Sequence, residues 1–279
     1  MRRRSACRAA LLLSAAAAVC CGGGGRSEPA GRVTASTGTV KLLYPQSVPV
    51  SVTWEPARPL DRRHGRVISF AHLVRTGERR NEVFRTFDHA LPRPWIPGEA
   101  QADEIDLYQS AVAEPLAPGK YVLSVGLYDE SSGYRWPLLA GPEIARREYR
   151  LAEVEVGGAD PTAPKLGFSG GWQQQETLSN KQVLSRRPFV GASTLSVEGR
   201  AAGSMRMLVS VPPAGGPESV HIAPSCSPGV GQTVAAGRPR WVFVGVPPGP
   251  CQIAFEPSPP GGLASPVAAS LDVVSWRPR

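Results

Sequence analysis

Charge is scarce in this sequence, and so is histidine. Charged residues make up 19% of 279 positions, too few for a chain held open by self-repulsion. No apolar run reaches the roughly 18 to 20 residues that a spanning helix requires, which argues against a multispanning membrane protein. The histidines are His64, His72, His89 and His221, with no His-Glu-x-x-His helix and no Cys-x-x-Cys pair beside them, so neither a zinc site nor any other metal or cofactor is expected. No sustained 3.6-residue apolar period occurs. Glycine and proline, by contrast, are abundant at 30 and 29 residues. They follow no Gly-X-Y repeat, which excludes collagen, and their density disfavours long helices.

The chain opens with Met1-Arg2-Arg3-Arg4, a further Arg8, an Ala/Leu run from Ala9 to Val19, and then Cys20-Cys21-Gly22. A basic segment, a short apolar stretch and small residues have the physical form of an export signal. Cysteine directly after the run resembles the lipobox of bacterial lipoproteins, in which the cysteine receives a diacylglyceryl group and becomes the mature N-terminus. Cys21 fits that pattern better than Cys20, because the compact Cys20 rather than Val19 precedes it. The resemblance implies a membrane partner through a lipid anchor and an exported protein in the cell envelope. Gly22 in place of Asp favours the outer membrane. Residues 1–21 are therefore expected to form the signal peptide, and 22–38 a flexible tether.

From Thr39 onward, apolar and polar residues alternate between Pro/Gly turns. Val50, Val52 and Trp54 share one parity, as do Ile68, Phe70 and His72. Tyr121 to Tyr128 is the clearest strand, and Met205, Met207, Val209 and Val211 alternate as cleanly. Period-two alternation with frequent turns predicts an all-β chain of two consecutive immunoglobulin-like antiparallel sandwiches, over 39–156 and 165–279, with a linker at 157–164. Both halves contain a Pro-Gly turn feeding an alternating strand: Pro118-Gly119-Lys120-Tyr121 in the first, Pro248-Gly249-Pro250-Cys251 in the second.

The first half carries Phe70-Ala71-His72-Leu73-Val74, Trp95-Ile96-Pro97-Gly98-Glu99, and a run from Pro118 to Gly126-Leu127-Tyr128-Asp129. On these residues it resembles an immunoglobulin-like sandwich that follows the membrane region of some bacterial glycosyltransferase-like proteins and recurs in envelope proteins. The second half resembles a companion sandwich through Gly171-Trp172-Gln173-Gln174-Gln175-Glu176. The resemblance implies an extracytoplasmic accessory or binding module and brings no catalytic residues with it.

Several local patterns raise chemical options. Gly167-Phe168-Ser169-Gly170-Gly171 satisfies the Gly-x-Ser-x-Gly pattern of a nucleophile elbow, but no apolar helical stripe follows it, and a Gly-rich loop is expected instead. Glu99, Asp103, Glu104 and Asp106 form the densest acidic patch, which reads as a solvated strand face rather than a glycosidase pair. His72 is expected to be a buried imidazole, with Asp88 as a conceivable partner. Cys226 and Cys251 are the only cysteines beyond the leader. Export permits a disulfide between them, worth roughly 3 kcal/mol; two unpaired buried thiols are the alternative. Among the aromatics that could offer a sugar platform, Tyr134 and Trp136 beside the Ser131-Ser132-Gly133 turn stand first, then Trp172, ahead of Trp95, Tyr108 and Trp276.

The formal charge of +8 is unevenly placed. Residues 1–29 carry five basic and one acidic residue, residues 30–157 balance at 16 of each, and residues 158–279 hold ten basic and six acidic. Half the excess thus belongs to the leader, and the rest lacks the aromatic interleaving of a nucleic-acid face. The sequence therefore points to a non-enzymatic envelope lipoprotein that binds or positions a glycan or an envelope protein, with no nucleic-acid partner. The alternative is a secreted hydrolase of cell-wall or extracellular polysaccharide.

Overall fold

The structure, a computed structural model, describes residues 28–61, 63–75, 81–178, 180–181, 183–227, 229–258 and 269–279. Cys20 and Cys21, and with them the signal peptide and the lipid attachment site, lie outside the described residues. The described secondary structure is strand only. The first half holds β1 (Gly31–Ala35), β2 (Thr39–Tyr44), β3 (Ser47–Pro56), β4 (Val67–Arg75), β5 (Glu82–Thr86), β6 (His89–Ala90), β7 (Gln101–Tyr108), β8 (Gly119–Asp129), β9 (Arg135–Trp136), β10 (Glu143–Ala145) and β11 (Glu148–Ala159). The second holds β12 (Lys165–Trp172), β13 (Glu176–Thr177), β14 (Ser185–Gly199), β15 (Gly203–Ser210), β16 (Ser219–Pro224), β17 (Gln232–Ala235), β18 (Arg240–Val246), β19 (Gly249–Ser258) and β20 (Ala269–Pro278).

The first module is a sandwich. A three-stranded sheet, β1-β3-β7, faces an eight-stranded sheet whose main path is β10-β11-β8-β4-β5. The alternation in β3 buries Val50, Val52 and Trp54 against Leu123, Val125 and Leu127 of β8 in one core. All but one of the strand pairings here are antiparallel; β2 runs parallel to β11. The tether expected over 22–38 is shorter than its composition suggested. Val33 and Ala30 are buried, and residues 31–35 pair with β3 from Gly31↔Pro56 to Ala35↔Val52, because a single apolar residue flanked by polar ones suffices for an edge strand.

The second module is one nine-stranded sheet folded over on itself into two layers. The fold-over lies in β14: residues 187–189 pair with β20 and residues 193–199 pair with β19. Gly191 between them has φ +71°, and a Cβ on the facing Gly171 would meet the Val190 carbonyl at 1.7 Å. The glycines of the Gly-x-Ser-x-Gly pattern thus let two strands bend together where the chain changes layer. Ser169 sits in β12 opposite Thr194, in a strand rather than at a strand-to-helix turn.

The linker expected at 157–164 is packed structure. β11 continues to Ala159, Ala163 joins the second core, and the buried Asp160 accepts hydrogen bonds from Gln46 (2.8 Å), the Thr162 backbone (2.8 Å) and the Thr162 hydroxyl (2.7 Å). Two prolines and two glycines concealed this, since the carboxylate at 160 rather than apolar side chains organises the turn. The modules also touch directly. Backbone bonds join Ala111 to Val274 (2.7 Å) and Trp276 to Pro45 (2.8 Å), Tyr108 meets Trp241 edge-on at 5.6 Å, and Asp106 bridges Arg206 (2.7 Å) and Arg277.

Candidate functional site

Leu73, Ala71 and Val67 of β4 join the main core, so period-two geometry places Ile68, Phe70 and His72 on the opposite, outward face of the sheet. They are nevertheless well covered, by a polar layer rather than by a second sheet. His72 Nδ1 lies 3.0 Å from Glu148, Ser124 donates to the same carboxylate oxygen at 2.6 Å, and Arg135 reaches the other oxygen at 3.4 Å. The Arg135 guanidinium also stacks on Phe70, 4.2 Å from the ring centroid. Burial alone would raise the Glu148 carboxyl, but the His72 and Ser124 hydrogen bonds outweigh it and hold the group below its ordinary range. The partner named in the sequence, Asp88, stands 3.8 Å from His72 Nε2, and burial raises its pKa against the pull of His72. The histidine's hydrogen-bonded partner is Glu148, which joins it from across the sheet.

One end of this layer opens into a cavity of about 540 Å³ lined by His64, Ser132, Gly133, Tyr134, Arg135 and Arg146. Two turns shape it. The first follows β8, where the buried Asp129 accepts hydrogen bonds from the backbone N–H groups of His64, Gly65, Ser131 and Ser132 and from the hydroxyls of Ser131 and Ser132. These bonds, Ser131's first, keep its carboxyl far below the usual range. The second is the tight β10–β11 hairpin, with Ala145 paired to Glu148 and Arg146-Arg147 as its tip. Arg147 has φ +52°, the one positive φ among the described non-glycine residues. Its backbone N–H donates to Glu143 (2.6 Å), its guanidinium donates to the Arg135 carbonyl and lies 4.8 Å from the Tyr134 ring centroid.

The aromatics separate accordingly. Tyr134 is half-buried and lines the cavity. Trp136 does not face a ligand: it is fully buried, packs edge-on against Tyr134 at 5.7 Å, and donates from Nε1 to the Asp61 carbonyl at 2.7 Å, because its parity in β9 points inward opposite Leu127. Trp172 is a plug for the second core. It packs on Phe168, Phe189 and Phe255 at 4.8 to 5.3 Å and donates to the Thr194 carbonyl. Trp95, Tyr108 and Trp276 are buried too.

The acidic patch also divides. Asp103 shares the inward parity of Ile105 and Leu107, and its carboxylate accepts from Trp54 Nε1 (3.0 Å) and meets His89 (3.0 Å). Glu104 and Asp106 turn outward to a smaller cleft of about 250 Å³ between the modules, which also includes His89, Arg206 and Trp241. Among the described residues, no three His, Cys, Asp or Glu side chains converge on a metal position. Cys226 and Cys251 are joined in a disulfide. His64 and Arg146 escaped the sequence reading. The signal available for Arg146 was an Arg-Arg pair set between two alternating runs with no glycine or asparagine to make the turn.

No family model matches the chain, and no curated protein matches it. Solved structures that match the chain include the secreted serine protease VesC from Vibrio cholerae (8% identity, TM-score 0.29, covering 89% of this chain and 51% of that one). An exo-β-1,3-galactanase from Phanerochaete chrysosporium matches at 14% identity and TM-score 0.25, over 83% of this chain and 56% of that one. The tandem CBM22 domain from Paenibacillus barcinonensis Xyn10C matches at 8% identity and TM-score 0.29, over 88% and 93%. The chain spans about half the length of the first two. The all-β assignment stands on the strand pairing itself, and the site on its own geometry.

Proposed function

We propose that this protein is a non-enzymatic lipoprotein of a bacterial cell envelope, anchored through Cys21 or Cys20, whose first module holds a glycan in the cavity beside Tyr134. The carrying observation is the make-up of that cavity. It has the volume of a small-ligand site, about 540 Å³, and sits between two turns on a rigid sandwich. Its lining combines a ring with guanidinium and imidazole groups that can donate to sugar oxygens, and among the described residues it includes no carboxylate. The paired carboxylates of a glycoside hydrolase would need one there. The basic start, the short apolar run and the cysteine after it support a site outside the cytoplasm.

Intact-mass measurement on protein recovered from an envelope fraction is expected to show a diacylated cysteine at the mature N-terminus. An unmodified N-terminus overturns the anchor. Affinity electrophoresis through a panel of soluble polysaccharides is expected to retard the protein, and Tyr134→Ala to relieve the retardation. Free migration through every polysaccharide overturns the glycan reading, and release of reducing ends during the run would establish the hydrolase instead.

A further inference from the structure

Charge distinguishes this cavity from an ordinary sugar platform. Arg135, Arg146 and His64 line it, and Arg147 stands at its edge on the Tyr134 ring. The neighbouring carboxylates are engaged elsewhere. Asp129 is turned inward onto backbone N–H groups and hydroxyls, Glu148 onto Ser124, His72 and Arg135, and Glu143 onto the Arg147 N–H. Glu130 is exposed one residue beyond Asp129 and is not part of the lining. Arg146 is exposed, and its side chain has no partner among the described residues. The hairpin tip that presents it holds Arg147 at φ +52°, where a glycine would sit without strain. Arg147 thus stands at a position that backbone conformation alone would favour for glycine.

We infer that the cavity takes an acidic saccharide, whose anionic group is held by the Arg146 guanidinium with Arg135 and His64 beside it. The inference rests on the glycan-holding reading of the same cavity. A guanidinium offers a planar pair of N–H donors that matches a carboxylate, and such charged hydrogen bonds outweigh those made to neutral hydroxyls. Tyr134 contributes contact to the sugar ring from its place in the cavity lining. Binding is accordingly salt-sensitive, because the receiving charges sit at the surface.

The test is isothermal titration of the full processed protein with tetragalacturonate, with cellotetraose as the neutral counterpart of equal length, and with inorganic phosphate as a competitor at constant ionic strength. Tetragalacturonate is expected to bind at least tenfold more tightly than cellotetraose. Arg146→Ala is expected to weaken it at least tenfold without changing the thermal transition, while Arg238→Ala, which removes the same charge from an exposed turn of the second module, changes affinity less than twofold. Equal binding of the two saccharides overturns the acidic preference and leaves the glycan reading standing. Binding of neither overturns both. Full displacement by phosphate at concentrations matching the saccharide shows an anion site with no sugar requirement and overturns the inference, as does Arg146→Ala with unchanged affinity.

Discussion

The two modules start their central strands in the same way and then diverge. β8 begins at Gly119 (φ +149°) and β19 at Gly249 (φ +101°), each after a proline, and each strand lies between two antiparallel neighbours. In the first module the face turned away from the core carries His72, Ser124, Glu148 and Arg135, a polar layer that ends in a cavity. The second instead packs Trp172, Phe168, Phe189 and Phe255 into an aromatic knot and ties Cys251 of β19 to Cys226. A shared turn grammar therefore sets the framework; the first module adds a polar layer on the outward face of its sheet, whereas the second adds an aromatic knot and a cross-link within its core. Both modules rest on an apolar core; the second adds a covalent cross-link to it, and the first adds paired charges that also shape the opening.

The largest expected effect separates the two strategies. Replacing both Cys226 and Cys251 by alanine removes a cross-link across 25 residues and should cost roughly 3 kcal/mol. Denaturant titration followed by Trp fluorescence reads the loss. Saccharide binding by the first module should persist below the lowered transition, and a loss of binding in folded protein would show that the site depends on the second module.

Asp106→Ala attacks the junction. Arg206 is almost fully buried, and burial already lowers its pKa against the opposing pull of Asp106. Removing the carboxylate strands that charge, at an expected cost of about 2.5 kcal/mol, below the value for a fully buried pair because Arg277 can rehydrate. The modules should then melt in two calorimetric steps instead of one. A single unshifted transition would mean that the backbone bonds at Ala111 and Trp276 couple them unaided.

The corresponding charge pair within the first module is Asp103 with His89. Burial opposes both charges, yet their contact wins: the His89 pKa is raised above 6.5 and the Asp103 pKa is lowered below 3.8. The histidine's contribution is complete below its unfolded value and fades as pH rises through the folded one. The aspartate's is complete above its unfolded value and fades as pH falls through the folded one. The pair therefore stabilises most between about pH 4 and 6.5. Asp103→Ala also leaves the buried Trp54 N–H unpaired, and should cost about 2 kcal/mol at pH 5.5. Urea titrations across pH should show the wild-type maximum in that window and a flatter profile in the variant.

How much of this was legible beforehand follows the same division. Alternation located β8 and β15 and the inward set Val50, Val52 and Trp54, since each strand there presents one face to a core and period two suffices to find it. It missed that Trp136 is fully buried, because a two-residue strand has no period to read, and that Trp172 packs on the second core, because a tryptophan beside glycines resembles a loop residue when its partners on β14 and β19 are distant in sequence. His72 is mostly covered but lies on the outward face of its sheet, and its partner Glu148 lies 76 residues away, a pairing that only sheet order reveals. The packed turn at Asp160 and the junction around Asp106 depend on carboxylates, and a lone acidic residue in a Pro/Gly stretch looks the same whether it organises a turn or faces water.

The smallest effect on stability is the sharpest test of the first module's strategy. Arg147 spends backbone strain at φ +52° to place its guanidinium on Tyr134 and its donor on the Arg135 carbonyl. Arg147→Gly relieves that strain by about 1 kcal/mol and forfeits a half-exposed cation–π contact and the hydrogen bond to the Arg135 carbonyl, together about 1 to 1.5 kcal/mol. The two nearly cancel, so the thermal transition should move by no more than about 4 °C. Tyr134 and Arg135, however, lose the group that holds them in place, and tetragalacturonate affinity should fall severalfold in isothermal titration. A variant that melts like the wild type but binds less tightly shows that the strained arginine is kept for the cavity. Unchanged affinity would make the hairpin tip a structural feature only, and would bring the first module closer to the second than its polar face implies.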